Sequence, residues 1–227
     1  MRKLLSSLLL MVSISVFSQE VPDFAAVDSL YREDQFYFSL TYNILRDKPA
    51  GINQNKFAPS FSAGFLRDMP INKRRNFSIA AGLGYSINNY NYNLLIDKSS
   101  GSLTYAPNDT IAFDKNKLIL HYVELPIEFR WRTSRPEGHM FWRIYGGFKF
   151  SYLVFDRQKF QNDDMKYTVS KNSDLNKLQV GTYLAVGNNT WNVTAYYGLT
   201  PLYKLAEING KPIDLQTLNI GLMFYIL

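Results

Sequence analysis

Three features of the sequence predict an all-β fold, an eight-stranded antiparallel up-and-down transmembrane β-barrel. First, His121–Arg132 alternates strictly. Val123, Leu125, Ile127, Phe129 and Trp131 lie on one face, and Tyr122, Glu124, Glu128 and Arg130 on the other. A helix cannot segregate these residues, whereas a strand does so automatically. Second, seven further stretches carry the same two-residue period. Third, the connections between them alternate long and short along the whole chain. Apolar side chains toward lipid and polar ones toward a lumen suit such strands, and alternating loop lengths suit a barrel with long extracellular loops and short periplasmic turns.

The elements follow in order. Residues 1–18 read as a signal peptide: Arg2 and Lys3 open it, and the apolar run Leu4–Phe17 falls short of the about 20 residues a spanning helix needs. Small residues before Gln19 predict cleavage between Ser18 and Gln19. With no Cys in the chain, a lipoprotein anchor and a disulfide framework are both excluded. Residues 19–34 form a polar lead-in, expected as a mobile periplasmic segment, and residues 35–227 form the barrel.

The first strand, Gln35–Leu45, sets Phe36, Phe38, Leu40, Tyr42 and Ile44 against Tyr37, Ser39, Thr41 and Asn43. The second, Phe57–Met69, follows a loop broken by Pro49 and Gly51. The third, Phe77–Asn91, alternates apolar residues with Ser78, Ala80, Gly82, Gly84 and Ser86. After a long polar stretch comes the fourth, Leu118–Arg132. Pro126 removes a ladder donor from it, so a bulge or local break is expected there. The fifth strand is Met140–Phe155, and Asp156–Asn176 reads as a charged loop. The sixth is Lys177–Gly187 and the seventh Trp191–Leu199. The eighth, Thr217–Leu227, ends the chain.

The aromatic residues add a check. Trp131, Trp142 and Trp191 each adjoin a short turn and point to the apolar face, with Phe36, Phe77 and Phe224 at the same level. Aromatic rings gather at membrane interfaces, so these residues are expected to form a girdle at the periplasmic side. A soluble barrel would turn the apolar face inward, yet that face carries more bulk than eight strands enclose, while the polar face is small. The partner expected here is therefore outer-membrane lipid.

Inside so narrow a barrel, Glu124, Glu128, Arg130, Arg143 and Lys149 must pair, because buried charges need partners. Folding the hairpin about Thr133–His139 sets Glu128 opposite Arg143. Paired charges that plug the lumen are the expected outcome, ahead of a proton or ion site. The two histidines fall at opposite ends, His121 on the outward face and His139 at a turn, so they share no site. No spacing of metal ligands, phosphate loop or nucleophile motif occurs, so no catalytic residue, metal or cofactor is expected. The net charge of +6 is scattered rather than striped, which gives nucleic acid binding no support. Arg67, Lys73, Arg74, Arg75, Arg132 and Arg135 are expected to make the short-turn rim basic. The long loops read as hydrophilic cover or as binding surfaces.

Asn219, Gly221, Phe224 and Ile226 resemble the C-terminal pattern by which barrel-assembly machinery recognises its substrates. The stretch Val123-Glu124-Leu125-Pro126-Ile127 followed by Glu128-Phe129-Arg130, the Gly-rich third strand and the Ser18-Gln19 ending resemble the small outer-membrane β-barrel family common in gliding, type IX-secreting bacteria. Within that family the resemblance implies a non-enzymatic component needed for type IX protein secretion and gliding motility. The same resemblance implies an assembly or docking factor with translocon subunits as partners. The alternative is a free-standing small barrel that stiffens the membrane or binds a ligand through its loops.

Overall fold

The computed structural model describes residues 32–54, 56–98, 102–108, 110–133 and 141–226. The signal peptide, its cleavage site at Ser18 and Gln19, most of the lead-in, and His139, Met140 and Arg135 lie outside the described residues.

Among the described residues eight long strands form the barrel: β1 (Gln35–Arg46), β2 (Pro59–Pro70), β3 (Phe77–Asn91), β4 (Lys115–Arg132), β5 (Trp142–Gln161), β6 (Leu178–Asn188), β7 (Trp191–Gly198) and β8 (Gln216–Ile226). Each pairs antiparallel with its neighbours in the sequence. The sheet closes where β1 meets β8, from Phe36↔Ile226 to Arg46↔Gln216. Closure removes every edge, which in lipid would expose a row of unsatisfied backbone groups.

Burial follows the two-residue period. Phe36, Phe38, Leu40, Leu83, Phe129, Trp142, Trp191 and Val193 are exposed on the outside, while Tyr37, Asn43, Asp68, Glu128 and Tyr145 are enclosed. Glycine lets the interior close around its large side chains. Tyr37 lies across Gly64 and Gly84, where an added Cβ would come within 2.6 Å and 2.0 Å of its ring and hydroxyl.

Pro126 behaves in part as expected. The β3–β4 register runs from Ala81↔Ile127 to Gly84↔Glu124 with no pairs between them, as a residue without an N–H requires. The bulge itself lies elsewhere: the β4–β5 register shifts between His121 and Tyr122, which face Phe155 and Leu153. Val154 is the extra residue, and Val154 and Phe155 both point outward. This corrects the expected end of β5. The strand continues to Gln161, with Asp156, Gln158 and Phe160 now on the inner face. A bulge inverts the phase of everything after it, so the segment loses its alternation when read from Met140.

The long loops are also more than hydrophilic cover. Beyond the barrel, Leu94–Asp97 pairs with Thr104–Pro107, Lys166–Ser170 pairs with the end of β5, and Glu207–Ile208 pairs with Lys211–Pro212 across an Asn209-Gly210 turn. Both turn residues have positive φ, as a two-residue hairpin turn needs. The ribbons and the loop residues beside them pack Leu94, Ile96, Val169, Leu175, Leu202, Ile208, Ile213 and Leu215 into one apolar cluster with Leu118, Leu120 and Tyr122 of β4. Burying each such side chain is worth about 1.5–3 kcal/mol. The loops therefore form a folded cap over the barrel mouth.

Within the cap, Asn93 joins two loops. Its Oδ1 accepts the Asn53 N–H at 2.7 Å, and its Nδ2 donates to the Gly51 carbonyl at 2.7 Å. The Tyr92 and Tyr203 hydroxyls share a 2.8 Å hydrogen bond. Burial pushes both phenols well above the ordinary tyrosine range, so they stay neutral. Replacing Tyr203 with Phe removes this bond and is expected to loosen the cap by about 1 kcal/mol. Hydrogen exchange of the loop amides should then rise roughly fivefold while the barrel strands are unchanged. Unchanged loop exchange would show that this bond adds nothing to the cap.

Candidate functional site: a plugged and capped lumen

The inward residues of β4 alternate along the lumen, because every second side chain of a strand shares a face. Glu124, Glu128, Arg130 and Arg132 are all buried. From the other strands come Asp68 on β2, Ser78 on β3, Arg143, Tyr145 and Lys149 on β5, Tyr183 on β6 and Tyr225 on β8. They form two charged groups at different heights in the lumen, one around Glu128, Arg130 and Arg132 and one at Glu124.

The first group closes the short-turn end. Arg130 donates from Nε to Glu128 Oε2 at 2.7 Å and from Nη1 to Asp68 Oδ1 at 3.0 Å. Arg132 donates from Nη2 to Asp68 Oδ2 at 2.9 Å and from Nε to the Arg75 carbonyl at 3.0 Å. Glu128 Oε1 accepts the hydroxyls of Tyr183 and Tyr225, at 2.7 and 2.9 Å. The Arg130 guanidinium also lies 4.7 Å from the Tyr145 ring, a cation–π distance.

Glu33 completes the group from ahead of β1. Its carboxylate is 3.4 Å from Arg132 Nε, its carbonyl accepts from Arg130 Nη1 at 3.2 Å, and its N–H donates to Asp68 Oδ2 at 3.3 Å. The end of the lead-in is thus held in the barrel mouth, against the expectation of a mobile tail up to residue 34.

The second group is a pair. Lys149 Nζ lies 3.0 Å from Glu124 Oε2, and the ammonium sits 5.4 and 5.5 Å from the Tyr183 and Tyr196 rings. Above it is a polar cavity of about 40 Å³ lined by Ser39, Ser62, Asn88, Ser151, Thr194 and Asn219, with Leu202 of the cap at its top. That volume holds one or a few waters and no larger ligand.

Two expectations are corrected. Glu128 does not face Arg143; it sits opposite Gly147, and Arg143 sits opposite Arg132. Hairpin register is a property of the paired strands as a whole, and the pairing observed differs from a symmetric fold about Thr133–His139. Arg143 is instead stacked on the Phe141 ring at 4.6 Å, with its Nε and Nη1 finding no hydrogen-bond partner among the described residues. Arg132, expected on the basic rim, points inward and is 1% exposed. Arg67 does lie on the rim, paired with Asp34 at 3.0 Å.

Asp68, Glu33 and Arg132 are the members that the sequence reading missed. Asp68 shares the phase of Ser60, Ser62 and Gly64 on β2, so the two-residue period was a signal for it. Glu33 has no such signal, because it precedes the strand.

The other singled-out residues are placed as follows. Trp131, Trp142, Trp191, Phe36, Phe77 and Phe224 lie on the outward face at the short-turn end, with Phe77↔Trp131 and Trp191↔Phe224 in cross-strand register. The Trp191 and Phe224 rings meet edge to face at 4.8 Å. On β8, Asn219 and Gly221 share the inward phase, and Phe224 and Ile226 the outward one. His121 faces outward, and the Tyr85 hydroxyl lies 2.8 Å from its Nδ1.

An apolar exterior around an ion-paired interior defines an integral membrane β-barrel. The family described as outer membrane protein beta-barrel domain matches residues 17–204. The chain belongs to that family, and its place is the outer membrane. A search of curated proteins found no match. Among solved structures, the attachment invasion locus protein Ail of Yersinia pestis aligns over 87% of this chain and 100% of its own, at 10% identity and a TM-score of 0.39. A mutant porin of Rh. blastica aligns over 86% and 100%, at 6% identity and a TM-score of 0.23. The assignment rests on the family match.

Proposed function

We propose that the protein is a non-enzymatic component of the type IX protein secretion machinery, of the kind called PorT, or SprT in gliding species, and that it acts by docking. One observation carries the docking role. The lumen is filled by the Arg130–Asp68–Arg132 network at one end and covered by the packed cap at the other. A barrel sealed twice over leaves its rims and outer wall for contact with translocon subunits. The resemblance in residues 123–130 supports the PorT-like reading; Glu128 and Arg130 of that stretch belong to the plug, and Glu124 pairs with Lys149 above it.

In this reading both termini and the short turns are periplasmic. The Trp131, Trp142 and Trp191 level is the periplasmic membrane interface. Barrel-assembly machinery reads the strand that holds Asn219, Gly221, Phe224 and Ile226. Lys73 and Arg74 on the short-turn rim meet periplasmic machinery.

The test is a clean deletion strain carrying the gene on a plasmid as control. Proteins with type IX signals should accumulate in the periplasm and colony spreading should stop, with the plasmid restoring both. Normal secretion and spreading in the deletion would overturn the secretion role. The second reading, a free-standing barrel that binds through its loops, draws on the ordered cap. Retained secretion together with loss of a surface-binding phenotype would favour it.

A further inference from the structure

Beyond the bulge at Val154, the outward face of β4 and β5 changes character. Below it lie Val123, Tyr152, His121 and Phe155. Above it the outward positions are Lys115, Lys117 and Ile119 on β4 and Arg157, Lys159 and Gln161 on β5. Lys166, in register with Gln161, continues the same face onto the next ribbon. Five cations thus share one outward surface.

Lys117 and Lys159 are direct cross-strand partners, and Arg157 sits opposite Ile119, one outward position nearer the apolar band. Like charges placed opposite each other in a sheet destabilise it. None of the five forms an ion pair among the described residues. Along the chain the nearest acids are Asp156, which precedes Arg157 but is buried on the inner face, Asp114, just before Lys115, and Asp163 and Asp164 between Gln161 and Lys166. Arg157 is half-buried, its guanidinium 5.2 Å from the Phe155 ring, and its enclosed Nε has no hydrogen-bond partner among the described residues.

Position decides what neutralises this face. It continues the lipid-facing apolar wall upward, and a strand rises about 3.3 Å per residue. Arg157 therefore stands about 7 Å above Phe155 along the strand, and Lys159 a further step out. Counted from Trp142 at the opposite aromatic level, Arg157 lies about 35 Å up the barrel axis for a strand tilted by about 45°, just past the about 30 Å of hydrocarbon and so among headgroups. We propose that Lys117, Arg157 and Lys159, flanked by Lys115 and Lys166, bind the phosphate groups of the glycolipid that surrounds the long-loop end of the barrel. Arg157 anchors the site at the apolar boundary, and the lysines take the more distal charge. The inference rests on the long-loop end facing the phosphate-bearing leaflet and is independent of any role in secretion.

The test uses the full mature protein in zwitterionic detergent micelles, with bisphosphorylated lipid A as probe. Lipid A stripped of both phosphates is the comparison. Lipid retained by the protein is counted by native mass spectrometry over a concentration series. The triple variant Lys117→Gln/Arg157→Gln/Lys159→Gln should bind the phosphorylated lipid at least tenfold more weakly, with a shallower salt dependence, since each cation near an anionic lipid surface adds attraction. The stripped lipid should bind the unaltered protein about as weakly. A Lys73→Gln/Arg74→Gln variant at the opposite rim should bind as the unaltered protein does. Folding of each variant is checked by its shift in migration on unheated gels. Equal affinity in the triple variant, equal affinity for the stripped lipid, or an equal loss in the opposite-rim variant would each overturn the proposal.

Discussion

Replacing Asp68 with Ala is expected to destabilise the barrel by about 3–5 kcal/mol, the range for breaking a buried ion pair from one side. The loss is large because one carboxylate serves four donors. Arg130 and Arg132 each take one of its oxygens, the Ser78 hydroxyl donates to Oδ1 at 2.7 Å, and the Glu33 N–H donates to Oδ2. All of these groups are buried, so water cannot replace the lost anion. Two guanidiniums would then face each other with Glu128 and Glu33 as their remaining counter-charges. Asp68→Asn, which keeps one acceptor oxygen, should lose less. Arg67→Ala removes only the partly exposed pair with Asp34 and should change stability by about 0–1 kcal/mol. Urea midpoints of the folded protein in micelles measure all three. An Asp68→Ala midpoint equal to that of Arg67→Ala would show that the network does not hold the short-turn end.

Adjacent glycines on β5 should give opposite outcomes. Gly147 points inward beneath Glu128, and a Cβ there would lie 1.9 Å from the Ile127 carbonyl oxygen and 2.9 Å from Glu128 Cα. Both are backbone atoms of the neighbouring strand, so no rotamer change relieves the clash and β4 and β5 must separate. Overpacking of this kind costs about 1–3 kcal/mol or more. Here it also disturbs the Glu128 contacts to Arg130, Tyr183 and Tyr225. Gly147→Val is expected to yield little folded barrel. Gly146 points outward, and a Cβ there meets the Leu184 side chain at 3.4 Å, an ordinary contact. Gly146→Val should fold and stay within about 0.5 kcal/mol of the unaltered protein, as surface substitutions usually do. The fraction that migrates as folded on unheated gels reports both, and equal yields would refute the steric argument.

The fold class was legible because each strand carries its own evidence. The alternation in β3 and β4 separates the faces residue by residue, and the short turn at Asn189–Thr190 stands out between two clear strands. What was not legible depends on relations between strands. Residues 156–161 read as loop because Val154 inverts the phase, and nothing in the local composition marks a bulge. The Glu128–Arg143 pairing failed because register belongs to the hairpin as a whole. The inward set was partly legible: Glu124, Glu128, Arg130 and Lys149 follow from the period, and Asp68 follows from the same rule. Glu33 is fixed only by the three-dimensional arrangement of Arg130 and Arg132. The cap was hidden because its apolar residues, such as Leu94, Leu175, Leu202 and Ile213, are dispersed among polar ones and meet only when the loops converge.

The pairing of the first strand with the last has a consequence for how this molecule comes into being. Phe36 and Ile226 are neighbours across a seam that joins the first strand of the barrel to the last. Nothing shorter than the full run of strands from β1 to β8 makes that seam. A barrel lacking β8 would leave both β1 and β7 with bare rows of N–H and C=O groups, each costing several kcal/mol in hydrocarbon. Such a species has no resting place in the bilayer. Insertion is therefore all-or-none in sequence as well as in space: the earliest strand of the barrel stays unsealed until β8 has been made.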